Sequence, residues 1–414
     1  MSIVQSEVAS PNGERLTPFH WKMLWASAVG YALDGMDLMI ISMVLPLISA
    51  YFGLTSAQAG SIATITLIGA VIGGYVFGVL ADVYGRVKVL ALTILIFAVF
   101  TGLSALAPNF FWLGVFRFIA GLGLGGEFGI GMTLVAETWP KKYRARGTAG
   151  VALGFQVGVI LAILTAMLVA PRFGWQGAFV VGALPALYAW YVRRNLEEPE
   201  IWKRARAERK EGVQPLRLSY FIESPRKTLT TLGLTIATAV QNFGYHGIMV
   251  WLPTMLAKEL GYSFNKTGVW TMVTIVGMMI GIVVFGWLAD TLGRKPTYIF
   301  FQLMSALSVW VFFHQTNPYV ILFLGAVMGF FVNGMMAGYG ALLAEHYPTE
   351  ARSTAENLIF NTGRFIGGFG PFVIGYLAMH HSLSWAMGLI SAVYLLAALA
   401  FLLFIPETKR SELV

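Results

Sequence analysis

The chain of 414 residues is 57% hydrophobic and 12% charged, whereas soluble domains average roughly 45–50% and about 25%. It has no cysteine and a formal charge of +8, which excludes disulfide frameworks and thiolate metal or nucleophile chemistry. A water-soluble globule is excluded too, because apolar stretches of about 20 residues recur along the chain, each long enough for a bilayer core of about 30 Å.

In chain order, residues 1–21 are polar and lack the apolar core and small-residue cleavage site of a signal peptide, so the first span is expected to be retained. That span, 23–50, carries Asp34 and Asp37 near its centre, on one helix face with Tyr31. An ionisable group at mid-bilayer is costly unless paired or hydrated. Two carboxylates on one apolar wall point to proton binding, because burial and a like neighbour both disfavour the charged form. Carboxylates that only accept bonds from spans four or five are the alternative. Spans two (58–81) and three (88–107) flank a short basic loop. Span four (110–134) holds Arg117 and, further on, Glu127, roughly 15 Å apart along the axis and too far to pair; its glycines permit close helix approach. Spans five (146–170) and six (174–192) follow, with Phe155 and Gln156 in span five.

Residues 193–227 carry ten Lys and Arg with six Glu, among them Glu200 and Arg204 at pairing distance on a helix. This stretch reads as a charged linker between two bundles. Six further spans lie at 229–256, 267–289, 296–315, 318–343, 354–378 and 384–405. Asn242, Tyr245 and His246 fall in the seventh, Phe360, Asn361, Arg364 and Phe365 in the eleventh. The domain plan is therefore a segment 1–21, a bundle 22–192, a linker 193–227, a bundle 228–405 and a tail 406–414. Lys and Arg accumulate on the cytoplasmic side of membrane proteins, and with both termini cytoplasmic 23 of the 28 basic residues lie inside. The positive charge is thus topological, with no aromatic-interleaved groove for nucleic acid. The lipid bilayer is the expected surroundings.

Self-comparison exposes a repeat. Gly78-Val-Leu-Ala-Asp82-Val-Tyr-Gly85-Arg86 matches Gly286-Trp-Leu-Ala-Asp290-Thr-Leu-Gly293-Arg294, 208 residues on, and the same shift carries Glu137 to Glu345, Pro140 to Pro348 and Arg144 to Arg352. Two separate motifs at one offset indicate parallel six-helix repeats. Glycines allow a tight turn there, while Asp82 and Asp290 can cap helix ends or bond across the halves and Arg86 and Arg294 can supply countercharge; all four are expected to gate. The offset sets Arg364 against Gln156, Asp34 against Asn242 and Asp37 against Tyr245, so one half offers acids where the other offers a cation and amides.

The two Gly-x-Leu-Ala-Asp-x-x-Gly-Arg loops, and Arg117-Phe-Ile-Ala-Gly-Leu-Gly-Leu-Gly-Gly-Glu127 in span four, resemble the signatures of the major facilitator superfamily. Within it, Tyr31-Ala-Leu-Asp34-Gly-Met-Asp37 and Glu137-Thr-Trp-Pro140 resemble the bacterial proton-coupled carriers of aromatic acids, sialic acids and lactate. Asn242, His246 and Thr254 echo a motif of lactate-permease relatives, from which Tyr245, Ile248, Met249 and Val250 depart. The resemblance implies an all-α membrane fold of twelve helices in the bacterial inner membrane, with Arg117 and Glu127 aiding Asp34 and Asp37 in proton coupling; Arg117 bonding only to span-one carbonyls is the alternative.

A guanidinium holds a carboxylate bidentately where a lysine does so less specifically, so Arg364, the cation without an evident partner, is the expected anion anchor; permanent pairing with Asp34 or Asp37 is the alternative. Gln156, Asn242, Asn361 and His246 are candidate hydrogen-bonding partners, and Tyr31, Phe155, Tyr245 and Phe360 candidate walls. The expected function is import of a small organic acid anion with protons by a monomer that needs no metal or cofactor. A proton-independent facilitator or anion exchanger is the alternative. No nucleotide-cradling Gly-x-x-x-x-Gly-Lys-Ser/Thr and no clustered enzymatic pair occur.

Overall fold

The computed structural model describes residues 16–54, 56–184, 188, 191–192, 195–208, 219–409 and 413. Helices fill nearly all of it, and no strand occurs among the described residues. The spans of the first half are Pro18–Phe52, Ser56–Tyr84, Arg86–Ser104, Phe110–Thr138, Arg144–Leu168 and a sixth that begins with Ala170–Ala183. Those of the second are Pro225–Lys258, Phe264–Thr291, Arg294–Phe313, Pro318–Gly334, Arg352–Gly367 and Leu383–Gly388, the tenth continuing through Met335–Gly338 into Tyr339–Ala344, the eleventh into Gly370–Leu377 and the twelfth into Ile390–Phe404.

Helix starts follow local chemistry. Pro18, Pro225 and Pro318 stand in first turns, where a missing N–H costs nothing. The side chains of Asn109, Ser224 and Asn317 accept the orphan N–H groups of Trp112, Lys227 and Tyr319. Ser224 and Pro225 start span seven inside the stretch read as linker. Of that linker, Glu200–Glu208 is helical, and Glu200 pairs with Lys203 at 2.7 Å rather than with Arg204. The basic and acidic residues of 209–218 lie outside the described residues.

Nine helices among the described residues are long and apolar enough to cross a membrane on those grounds alone. The sixth span is described only in part. The seventh carries the polar Gln241, Asn242 and His246, and the eleventh, whose first helix is 16 residues long, carries Glu356, Asn357, Asn361 and Arg364.

Small residues set the packing. A Cβ on Gly125 of span four would lie 1.8 Å from the Ala70 carbonyl oxygen of span two, and one on Gly158 of span five equally close to that of Ala32 in span one; contact between those backbones requires glycine. Spans two and eleven, and spans five and eight, join the two halves. Both repeated loops turn through a glycine with positive φ, Gly85 at 117° and Gly293 at 124°, a region side chains rarely enter.

Candidate functional site

Span one brings Asp34 and Asp37 into the core, where both are fully buried, and the structure divides them between two arginines. A nitrogen of Arg364 donates to the Asp34 carboxylate at 2.9 Å. Asp37 accepts two bonds from Arg117, one of them 3.1 Å long, and Thr101 lies 3.2 Å from both. Arg364 is therefore not the unpaired cation that the sequence suggested, and Arg117 bonds a carboxylate rather than span-one carbonyls. Each guanidinium also rests against an aromatic ring, Arg364 5.5 Å from Phe360 and Arg117 5.7 Å from Phe179. The pairing is unequal. Asp37 has both oxygens satisfied, whereas one oxygen of Asp34 has no hydrogen-bond partner. Behind them Glu127 is buried with both oxygens unpartnered, within the electrostatic field of Asp34, Asp37 and Arg364.

A cavity of about 30 Å³ lies on the Arg364 side, walled by Tyr31, Phe155, Gln156, Asn242, Tyr245, His246 and Phe360. It is large enough for one or two waters. The aromatic walls form a chain: Phe360 stacks on Phe128, Phe128 meets Tyr31 at 5.3 Å, Tyr31 meets Phe155 at 5.1 Å, and Tyr245 meets His246 at 5.2 Å. Tyr31 also touches Arg364, and Tyr245 touches Gln156. Asn361 turns elsewhere, its amide donating to the Gly125 carbonyl of span four at 2.9 Å. Phe365 is 40% exposed on the outside, rotated off the cavity face by its one-residue step from Arg364. A larger groove of about 1220 Å³ opens on the flank between spans one, five and eight, lined by Trp21, Trp25 and Trp287 with Arg146 beside them. Its walls hold none of the central polar groups.

The basic end is closed by two matching ion clusters. Asp82 accepts from the backbone N–H of Ser353 and Thr354 at the start of span eleven. Asp290 does the same for Ala145 and Arg146 at the start of span five. Glu137 binds Arg86 of its own half at 3.0 Å and Arg352 of the other at 2.7 Å; Glu345 binds Arg294 at 2.9 Å and Arg144 at 2.9 Å. Glu198 and Glu407 cap spans three and nine through the N–H groups of Val87 and Arg294. The sequence singled out Asp82, Arg86, Asp290 and Arg294 for this region. Glu137, Glu345, Arg144 and Arg352 matched at the same offset, which was the available signal for their part in it.

The chain matches the pattern of the Major Facilitator Superfamily over residues 27–272 and 234–413. A Haemophilus influenzae chain named only as a metabolite transport protein is 50% identical over 403 residues, 96% of this chain and 99% of that one. A cis,cis-muconate transport protein of Acinetobacter baylyi is 32% identical over 95% of this chain and 97% of its own. A niacin transporter of the same organism is 31% identical over 95% of each. The solved structure of a proton:xylose symporter superposes with a TM-score of 0.78 at 19% identity, covering 95% of this chain and 98% of that one; at that identity it speaks for the fold.

Proposed function

Given that the chain belongs to the major facilitator superfamily, and is a transporter rather than an enzyme, we propose that it carries a small organic acid anion together with protons across the bacterial inner membrane. The observation that carries this reading is the Asp34–Arg364 ion pair on the wall of a central cavity. Relatives named for muconate and niacin carry carboxylates. Sialic and short-chain acids belong to the same chemical class.

Competition for one guanidinium supplies the coupling. A substrate carboxylate that takes Arg364 leaves Asp34 buried without a partner, and an unpaired carboxylate in a dry site is far less costly once protonated. One cation then faces one substrate anion and a neutral acid, so each monovalent anion brings one proton. Gln156, Asn242, His246 and the two tyrosines supply hydrogen bonds, and the aromatic walls supply flat apolar surface. The Arg117–Asp37 pair holds span four to span one, and Glu127, unpartnered behind Asp34, is the adjacent group to which a proton can pass. The present cavity is smaller than any such substrate, so binding requires the halves to part. The clusters at the basic end, cytoplasmic by the positive-inside rule, shut the inward path.

Asp34→Asn tests the reading. In proteoliposomes this variant is expected to keep counterflow exchange of a carboxylate such as nicotinate or muconate while losing accumulation driven by a pH gradient. Undiminished pH-driven accumulation would refute the role given to Asp34.

A further inference from the structure

Glu356 lies one turn into span eleven, fully buried. Its carboxyl faces the hydroxyl of Thr133 in span four and meets no other hydrogen-bonding group among the described residues. Around it stand Asp82 of span two, Glu137 at the end of span four and Arg352 at the start of span eleven. Arg86 of span three binds Asp82 and Glu137 behind them, and Glu198 of the linker faces Arg86.

The two gate clusters make the carboxyl conspicuous. In the second cluster Asp290 and Glu345 face Arg294 and Arg144. The position 208 residues before Glu356 is Thr148, whose hydroxyl donates to the Ala337 carbonyl at 2.8 Å. In the first cluster Asp82 and Glu137 face Arg86 and Arg352, so two acids already balance two arginines before Glu356 is counted. No added cation offsets it: the counterpart of Arg146, which lies 3.6 Å from Asp290 at the rim of the second cluster, is Thr354. A charged Glu356 would be a further acid, desolvated and with no donor beyond the Thr133 hydroxyl, in a cluster whose two arginines are already matched by Asp82 and Glu137.

We propose that Glu356 is a second proton site of the carrier, held protonated while the basic end is closed and releasing its proton when the halves part there and water reaches it. This rests on the reading above that the halves part to admit substrate, but on a group other than those of the anion site. The closed gate binds a proton that the open gate gives up, so raising the pH favours opening, and a single linked proton changes the closed-to-open ratio by up to tenfold per pH unit.

The chain has no native cysteine, so Tyr84→Cys and Leu292→Cys, both more than half exposed at the ends of spans two and eight, give a clean pair of spin-label sites across the gate. Interlabel distances are measured on the full chain in lipid nanodiscs without substrate, at about pH 5.5 and about pH 9. The expected result is a closed-to-open ratio at least tenfold lower at the higher pH. Glu356→Gln should stay closed at both. Glu356→Thr, which copies the other cluster, should behave like it and serves if the glutamine variant folds poorly. An Asp34→Asn background should keep the shift. A pH-insensitive parent, variants that open as the parent does, or loss of the shift in Asp34→Asn would each overturn the proposal. Transport is read separately: accumulation driven by a pH gradient without a gate shift would refute Glu356 and spare the central coupling, and a gate shift without such accumulation would do the reverse.

Discussion

At the basic end, a residue and its counterpart 208 positions later do the same work. Asp82 caps span eleven and Asp290 caps span five; Glu137 and Glu345 each tie an arginine of one half to an arginine of the other. At the centre, counterparts differ in kind. Asp34 corresponds to Asn242, Asp37 to Tyr245 and Gln156 to Arg364, so the acids come from one half and the guanidinium that pairs with Asp34 from the other. A gate that must close both halves against each other is served by like pairs, because each interaction has a mate across the pseudo-twofold axis. A site for a small asymmetric anion is not, because two copies of one guanidinium or one carboxylate would repel. On the proposed reading, the duplicated scaffold is retained where it gates and altered where it binds.

The largest expected effect breaks the asymmetry at the centre. Removing one partner of a buried hydrogen-bonded charge pair costs about 2–5 kcal/mol, so Arg364→Ala should weaken carboxylate binding by more than tenfold. Arg364→Lys should be poor as well, since an ammonium cannot reproduce the planar fork. Gln156→Ala, the same excision at the counterpart position, removes one neutral hydrogen bond of about 1 kcal/mol and should cost several-fold at most. Isothermal calorimetry with nicotinate or muconate reads both. Equal losses would mean that the guanidinium serves Asp34 alone and that the anion binds elsewhere.

A second, smaller effect tests the symmetry of the gate. Arg352→Ala and Arg144→Ala each delete the arginine that crosses between halves, and a hydrogen bond to a charged group is worth about 1.5–3 kcal/mol. Both variants should shift the label distances between positions 84 and 292 toward the open form, by similar amounts and with substrate affinity in the open state preserved. A large shift from one and none from the other would show that a single cluster holds the gate and that the second is decorative.

How far these features were legible in the sequence follows the same division. The gate was visible because identical motifs recur at one spacing, and a repeated pattern needs no knowledge of helix rotation. The pairings at the centre were not. Asp34 and Asp37 share one face of span one, and which arginine each meets depends on how spans four and eleven rotate against it; Arg364 and Asp34 are 330 residues apart in the chain. Asn361 illustrates the same limit, because a single residue step of about 100° round the helix separates it from the cavity wall at Phe360 and turns it to span four. Glu356 drew no notice, since a glutamate among Arg352, Ser353 and Thr354 reads as a helix start near water. Only the fold shows it buried against Thr133 of span four.

The smallest expected effect probes one place where the gate region departs from symmetry without a charge pair. Thr138 donates its hydroxyl to the Leu134 carbonyl at 2.7 Å, and its counterpart His346 makes the matching bond from Nδ1 to the Leu342 carbonyl at 2.6 Å. His346 sits in the loop between spans ten and eleven, its other ring nitrogen buried without a partner. Burial holds its protonation below the ordinary histidine range, opposed in part by the Leu342 bond. The folded protein thus prefers the neutral ring. Above the ordinary histidine value both folded and unfolded chains are neutral, and His346 contributes nothing to the pH dependence. As the pH falls through that value the unfolded chain takes up the proton first, so stability is lost toward acid. His346→Thr, which copies the first half, should retain the short bond to Leu342 and remove this acid-labile share. Thermal unfolding of the two proteins in the same detergent should coincide near about pH 8 and diverge by about pH 5.5, with the threonine variant the more stable. Parallel curves across that range would mean that the histidine ring takes up its proton in place, with water reaching Nε2 through the loop.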